Sequence, residues 1–343
     1  MIRRLHVLTN PTDYNKWERL LKQEDIRPEK AIEETYGLFE QDQLVATASR
    51  YHNVIKCVAV DSNFQGGSYF NEIISAVMAR TTQLGYFKIT LYTKPESQQA
   101  FEYLGFKKIE QVDYKLVFME KAISGFSQFL DKLKKRKIEA ETVSSIVMNA
   151  NPFTKGHLYL VEKASQESDV VHVFVLSEEM SSFSASVRRE LVTLGTEHLK
   201  NVYIHSTDNY MVSNNTFPSY FLKEDDDVTT IQARLDARIF VNHIAPALGI
   251  NRRYVGSEPL SNATNLYNQA LQKEFEGKCE LVIVERVSHE YDVISASKVR
   301  HFLAENNLEA TKPYVPQTTY DFFLTDEGKE VIESLMEYQR EHP

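Results

Sequence analysis

The chain has 343 residues, 42% of them hydrophobic and 25% charged, which is the make-up of a globular protein with enough residues for two buried cores. Its formal net charge of -9 argues against a general nucleic-acid binder. No apolar run reaches membrane-spanning length, and the start MIRRLHVLTN lacks the hydrophobic stretch of a secretory leader, so neither a membrane partner nor a nucleic acid is expected and the compartment is expected to be cytoplasmic. The two cysteines, Cys57 and Cys279, sit in apolar strand-like runs and read as buried, reduced thiols.

In chain order, residues 13–24 have the periodicity of an amphipathic helix, with Trp17, Leu20 and Leu21 on one face. Strand patterns follow at 36–40, 44–51 and 54–60. The last leads through Asp61 to Gln65-Gly66-Gly67-Ser68 and a helix ending near residue 84. A strand at 88–92, a helix around Ala100, Phe101 and Tyr103, the triplet Leu104-Gly105-Phe106 and strands at 107–109 and 114–119 complete this part. Glycines before a helix start form a nest of N–H donors suited to phosphate; the alternative is an ordinary tight turn. Tyr103 and Tyr114 have no spacing that sets them apart from packing residues.

The order of strand, Gly-rich turn, helix, strand, helix and Leu-Gly-Phe resembles the GNAT-type acyltransferases. That resemblance implies an α+β domain over residues 1–122, with Gln65, Gly66, Gly67 and Ser68 at the pyrophosphate of a CoA-like group. The segment is shorter than that family's usual loop. Residues 123–140 read as a helical connector whose lysines and arginine from 132 to 137 form a solvated face.

Residues 141–343 show a cleaner alternation. Strands at 143–148, 170–176, 201–205, 253–256 and 280–285 alternate with helices at 157–166, 187–198, 230–248 and 261–275. An irregular insert spans 207–228, and a last helix starts at Thr325. β-Branched strands alternating with helices predict a parallel, doubly wound sheet. In such sheets ligands bind at the carboxyl ends of the strands. Three segments meet that condition: Asn149–His157, Ser177–Arg189 and Gly256-Ser257-Glu258.

The first of these carries Asn149, Asn151, Pro152, Phe153, Thr154, Lys155, Gly156 and His157, a turn feeding a helix start. Unpaired amides and the positive end of the helix dipole favour phosphate there, Gly156 permits close approach, and His157 adds an imidazole. Far downstream, Ile294-Ser295-Ala296-Ser297-Lys298-Val299-Arg300 places hydroxyls and two cations at another helix start, with Ser295 a candidate N-cap. His198, His205, His243, His289 and His301 show no metal-ligand spacing, so no metal site of the protein's own is expected. Asp225–Asp227 reads as a solvated loop or a recruiter of magnesium.

The pair of elements resembles the nucleotidylyltransferase superfamily, with Thr154 in place of the first histidine of its His-x-Gly-His motif. The resemblance implies that His157 and Thr154 meet the α-phosphate of ATP. It also implies that Arg188 faces substrate phosphate or carboxylate, and that Ser295, Ser297, Lys298 and Arg300 hold the departing pyrophosphate. Ser257 and Glu258 would line the adenosine. With Thr-Phe-Pro-Ser-Tyr-Phe at 216–221 and Val-Gly-Ser-Glu-Pro at 255–259, the whole chain is similar to the citrate lyase ligase family. That similarity implies ATP with Mg2+, acetate, and as partner the citrate lyase acyl carrier subunit with its dephospho-CoA-type thiol. Two other readings fit the residues: an adenylyltransferase acting on a pantetheine-type or mononucleotide phosphate, and a CoA-dependent acetyltransferase or binding protein working through the first domain.

Overall fold

A computed structural model describes residues 1–177, 181–208, 210–211, 217, 220–222, 227–257, 262–285, 288–289 and 292–341. By internal contacts the chain forms two compact units, residues 1–129 with 216–238, and residues 130–215 with 239–343. This partition differs from the expected blocks in two ways. The boundary falls inside the connector helix, and residues 216–238, expected within the 141–343 block, group with the first unit.

The first unit contains β1 Ile2–Leu5, α1 Pro11–Gln23, β2 Glu34–Glu40, β3 Gln43–Tyr51, β4 Val54–Val60, α2 Tyr69–Gln83, β5 Lys88–Thr93, α3 Gln98–Tyr103, β6 Lys107–Val112 and β7 Leu116–Ala122. Its seven-stranded sheet has the order β1-β2-β3-β4-β5-β7-β6, antiparallel except where β4 and β5 run parallel. That parallel pair is joined only at Val54↔Thr90 and Ile55↔Leu91, and beyond Ile55 the strands separate into a cleft. A register shift opposite Cys57, whose φ is +49°, bulges β4 at the point of divergence. Helix α2 buries Ile73, Ile74 and Val77 against β3 and β2. This is the expected GNAT-like arrangement.

The connector helix α4, Phe126–Lys134, is shorter than expected. The second unit carries β8 Val143–Met148, α5 Lys155–Gln166, β9 Val170–Val175, α6 Ala185–Gly195 and β10 Val202–Ser206. After α7, Val228–Ile239, whose residues to 238 group with the first unit, come a π-helical turn at Phe240–Ile244 and α8 Ala245–Leu248. Pro246 explains the interruption of what the sequence presents as one helix, because it cannot donate back to the preceding turn. Then follow β11 Arg252–Gly256, α9 Asn262–Phe275, β12 Glu280–Val284, the short hairpin β13 Ser288–His289 and β14 Asp292–Val293, α10 Ala296–Ala304, α11 Gln317–Leu324 and α12 Asp326–Glu341.

The five-stranded sheet is wholly parallel in the order β10-β9-β8-β11-β12. The chain leaves β8 towards β9 and β10, then returns to lay β11 on the other side. The order therefore reverses between β8 and β11, the place where open α/β sheets bind ligands. Ile146, Val171, Val173 and Tyr254 from the sheet meet Val161, Leu191, Val299 and Phe323 from the helices in one core. Within the sheet a buried imidazole pair joins His172 Nδ1 to His205 Nε2 at 2.9 Å.

Burial pushes His172 down to about 4 and His205 down to about 3, so both are neutral near pH 7. The unfolded chain takes up their protons near pH 6.5, whereas the folded chain resists until much lower pH. Stability contributed by the neutral pair is therefore present above pH 6.5 and is lost as the pH falls towards 4. The expected loss is roughly 2 kcal/mol per histidine by pH 5. Urea unfolding midpoints taken between pH 7 and 5 check this: the decline should flatten in the double variant His172→Leu/His205→Phe.

Candidate active site

Strands β8 and β11 deliver two loops to the switch point. The loop after β8 holds Ala150 at φ +51° and a cis Asn151–Pro152 bond before α5 starts. Thr154 caps that helix. Its Oγ1 accepts from the His157 N–H (3.4 Å), and the Thr154 N–H donates to His157 Nδ1 (3.1 Å), a reciprocal capping box. Because Nδ1 accepts, the neutral ring carries its proton on Nε2 and presents a donor there. Phe153, fully buried, stacks on the imidazole with centroids 5.9 Å apart and planes 12° apart.

The open first turn expected here is narrower than the sequence suggests. The Lys155 N–H donates to the Tyr314 carbonyl (2.9 Å) and the His157 N–H is used by the cap. Of these amides, Gly156 N–H is the one without a partner among the described residues. A Cβ on Gly156 would lie 3.4 Å from the Ile294 carbonyl oxygen, so the second motif packs directly on the first.

That second motif starts α10 with Ser295 as N-cap, its Oγ accepting from the Lys298 N–H (3.3 Å). Arg300 donates Nη1 to the Asn151 carbonyl and Nη2 to Ser297 Oγ, the latter at 3.2 Å. Burial lowers the Arg300 guanidinium's hold on its proton, though it stays charged at any working pH. Lys298 Nζ lies 5.0 Å from the Tyr314 ring centroid. Thus Asn151, Pro152, Phe153, Thr154, Gly156, His157, Ile294, Ser295, Ser297, Lys298 and Arg300 belong to one locality. Gly256 ends β11, where the Ser257 N–H donates to the Val284 carbonyl (2.8 Å). Glu258, Pro259 and the Asp225-Asp226 part of the acidic run lie outside the described residues.

Arg188 is placed differently from the expectation. It is fully buried, with Nε on the Phe183 carbonyl (2.9 Å) and Nη1 on the Asn149 carbonyl (2.9 Å), Asn149 Oδ1 (2.6 Å) and the Leu176 carbonyl (2.9 Å). These bonds tie the loop after β8 to the loop after β9. Arg188 is thus a strut that fixes Asn149, while Asn149 remains exposed and its Nδ2 reaches Ser181 Oγ at 3.3 Å. Spacing revealed the charge but not its burial. Gly195 of α6 supports the same loop from behind: a Cβ there would meet Phe153 Cε1 at 2.5 Å. Gly195→Ala is expected to displace Phe153 from beneath His157 and to cost about 1–3 kcal/mol in a thermal or urea unfolding measurement.

In the first unit, Gln65, Gly66 and Gly67 line a cleft of about 480 Å³ between the separating ends of β4 and β5. Gly66 has φ +88°, a conformation that favours glycine even though nothing stands within 4 Å of an added Cβ. Ser68 is not among the lining residues, and its hydroxyl bonds Glu72. Tyr220 and Phe221, from the insert, also line the cleft and were not anticipated. Cys57 and Cys279 are free and buried, as expected, and burial pushes the Cys57 thiol up to about 12 and that of Cys279 up to about 11, so both are protonated near pH 7.

A family model described as the citrate lyase ligase C-terminal domain matches residues 143–323. The citrate (pro-3S)-lyase ligase of Escherichia coli strain K12 is 31% identical over 329 residues, covering 94% of this chain and 91% of that one. Its counterpart from Klebsiella pneumoniae is 32% identical over 94% of this chain and 96% of its own. That from Haemophilus influenzae is 34% identical over 83% and 87%. With the two helix-start motifs meeting at the switch point of the second sheet, and near full-length similarity of this degree, the chain belongs to the citrate lyase ligase family.

Proposed function

We propose that this chain is an ATP-dependent ligase that activates citrate lyase by acetylating the thiol of its acyl carrier subunit, through an acetyl-adenylate. The observation that carries the reading is the packing of Ile294 on Gly156, which sets the His157 and Ser295–Arg300 elements side by side. An acetate oxygen attacks the α-phosphorus of ATP, the bond to the bridging oxygen breaks, and pyrophosphate leaves. His157 Nε2 and the Gly156 N–H meet charge as it grows on the α-phosphate oxygens. Lys298, Arg300, Ser295 and Ser297 receive the pyrophosphate. Thr154 acts through His157, whose ring it orients. Asn149, Asn151, Pro152 and Phe153 shape the floor, and Gly256, Ser257 and Glu258 bound the adenosine side.

The carrier thiol then attacks the acetyl carbonyl; AMP departs as the anhydride bond breaks, and the thiol proton passes to solvent. Hydroxyls, amides and cations suit phosphates better than a metal, so Mg2+ would enter on the phosphates of ATP. The separated ends of β4 and β5, with Gln65, Gly66 and Gly67, give the first unit the shape and amide donors to receive the CoA-like arm of the prosthetic group. No helix of the described residues is long and apolar enough to cross a membrane; a cytoplasmic setting is part of this proposal. Incubating the chain with ATP, acetate, magnesium and the thiol-bearing carrier tests the reading. AMP release matched by an acetylated carrier supports it. A dinucleotide formed from a pantetheine-type phosphate would replace it with the adenylyltransferase alternative.

A further inference from the structure

The segment between α10 and α11 touches both nucleotide motifs and carries no motif of its own. Tyr314, 8% exposed, gives its backbone carbonyl to the Lys155 N–H (2.9 Å), at the start of α5. Its ring lies 5.0 Å from Lys298 Nζ and 5.6 Å from the Phe302 ring, on α10. Two residues earlier the Lys312 carbonyl accepts from Lys155 Nζ (3.1 Å). The segment is itself fixed. The Tyr314 N–H donates to the Thr311 carbonyl (2.9 Å), Thr311 is fully buried, and Glu309 bonds both Lys312 (2.6 Å) and the Tyr320 hydroxyl (2.7 Å).

We infer that Tyr314 is a positioning residue for nucleotide activation, holding the Lys298 ammonium on its ring face beside the α5 start that its carbonyl caps. A flexible lysine loses rotamer entropy when it settles on a phosphate. An aromatic face beneath the ammonium confines it beforehand. Lys298 is then confined near the leaving phosphates before ATP arrives. The inference rests on the reading of Lys298 as a phosphate ligand.

Acetate-dependent exchange of labelled pyrophosphate into ATP separates the two ideas when Lys298→Met, Tyr314→Leu, Tyr314→Phe and the double variant Lys298→Met/Tyr314→Leu are compared. Tyr314→Phe, which keeps the ring, should stay within about twofold of the unaltered chain. Tyr314→Leu should lose about tenfold in kcat/KM for ATP, and the double variant should be no worse than Lys298→Met alone. Losses that multiply in the double variant, or normal exchange in Tyr314→Leu, overturn the inference while leaving the function intact. Normal exchange in Lys298→Met overturns the phosphate role of Lys298 and the inference with it. Since Leu could loosen the segment, a polyfluorinated phenylalanine at 314 keeps the shape but weakens the ring face. A graded fall in exchange across increasing fluorination supports the inference, and a flat series overturns it.

Discussion

Replacing His157 by alanine is expected to lower acetate-dependent pyrophosphate exchange by about 10²–10³-fold, the usual cost of removing one donor aimed at developing charge. The capping box adds a second consequence. His157 Nδ1 accepts the Thr154 N–H, so alanine also removes that cap partner and should cost up to about 1 kcal/mol of stability. His157→Gln separates the two effects, because glutamine at this third helical position commonly completes such a cap. The expected result is an unfolding midpoint close to that of the unaltered chain, with exchange still depressed. Recovery of exchange in His157→Gln would show that the imidazole matters only as a cap.

The second large effect is on stability. Arg188→Met should cost about 3–5 kcal/mol, because the carbonyls of Asn149, Leu176 and Phe183 and the Asn149 side chain lose a buried, charge-assisted donor. Arg188→Lys should recover little of this, since an ammonium cannot reproduce the planar fork that reaches three separate carbonyls. Urea unfolding of both variants measures the effect. A variant of normal stability with a raised KM for ATP would instead place the guanidinium on substrate, as the sequence alone suggests.

The contrast between these residues shows what the sequence makes legible. The two helix starts could be found because their chemistry is local: a turn, a cap residue and the first helical positions lie together in the chain. The parallel sheet was legible for a similar reason, since its β-branched runs alternate with helical periodicity. Arg188 could be located but not interpreted, because its burial depends on carbonyls from three other points in the chain. Tyr314 gave no signal at all; it meets Lys155 and Lys298 only after folding. The sequence presents no separate helix at α11, whose N-cap is Pro316, a residue with no side-chain acceptor to cap it, rather than Ser, Thr, Asp or Asn. The hairpin of β13 and β14, with two residues in each strand, is too short to show periodicity. Tyr220 and Phe221 look like loop residues until the insert is seen lining the cleft of the first unit.

The most direct test of the central claim is exchange of labelled pyrophosphate into ATP with magnesium and acetate but no carrier protein. Acetyl-adenylate formation in the second unit predicts exchange that requires acetate and is lost in His157→Gln. Absence of exchange both with acetate alone and after addition of the thiol carrier, together with adenylylation of a pantetheine-type phosphate, would contradict it.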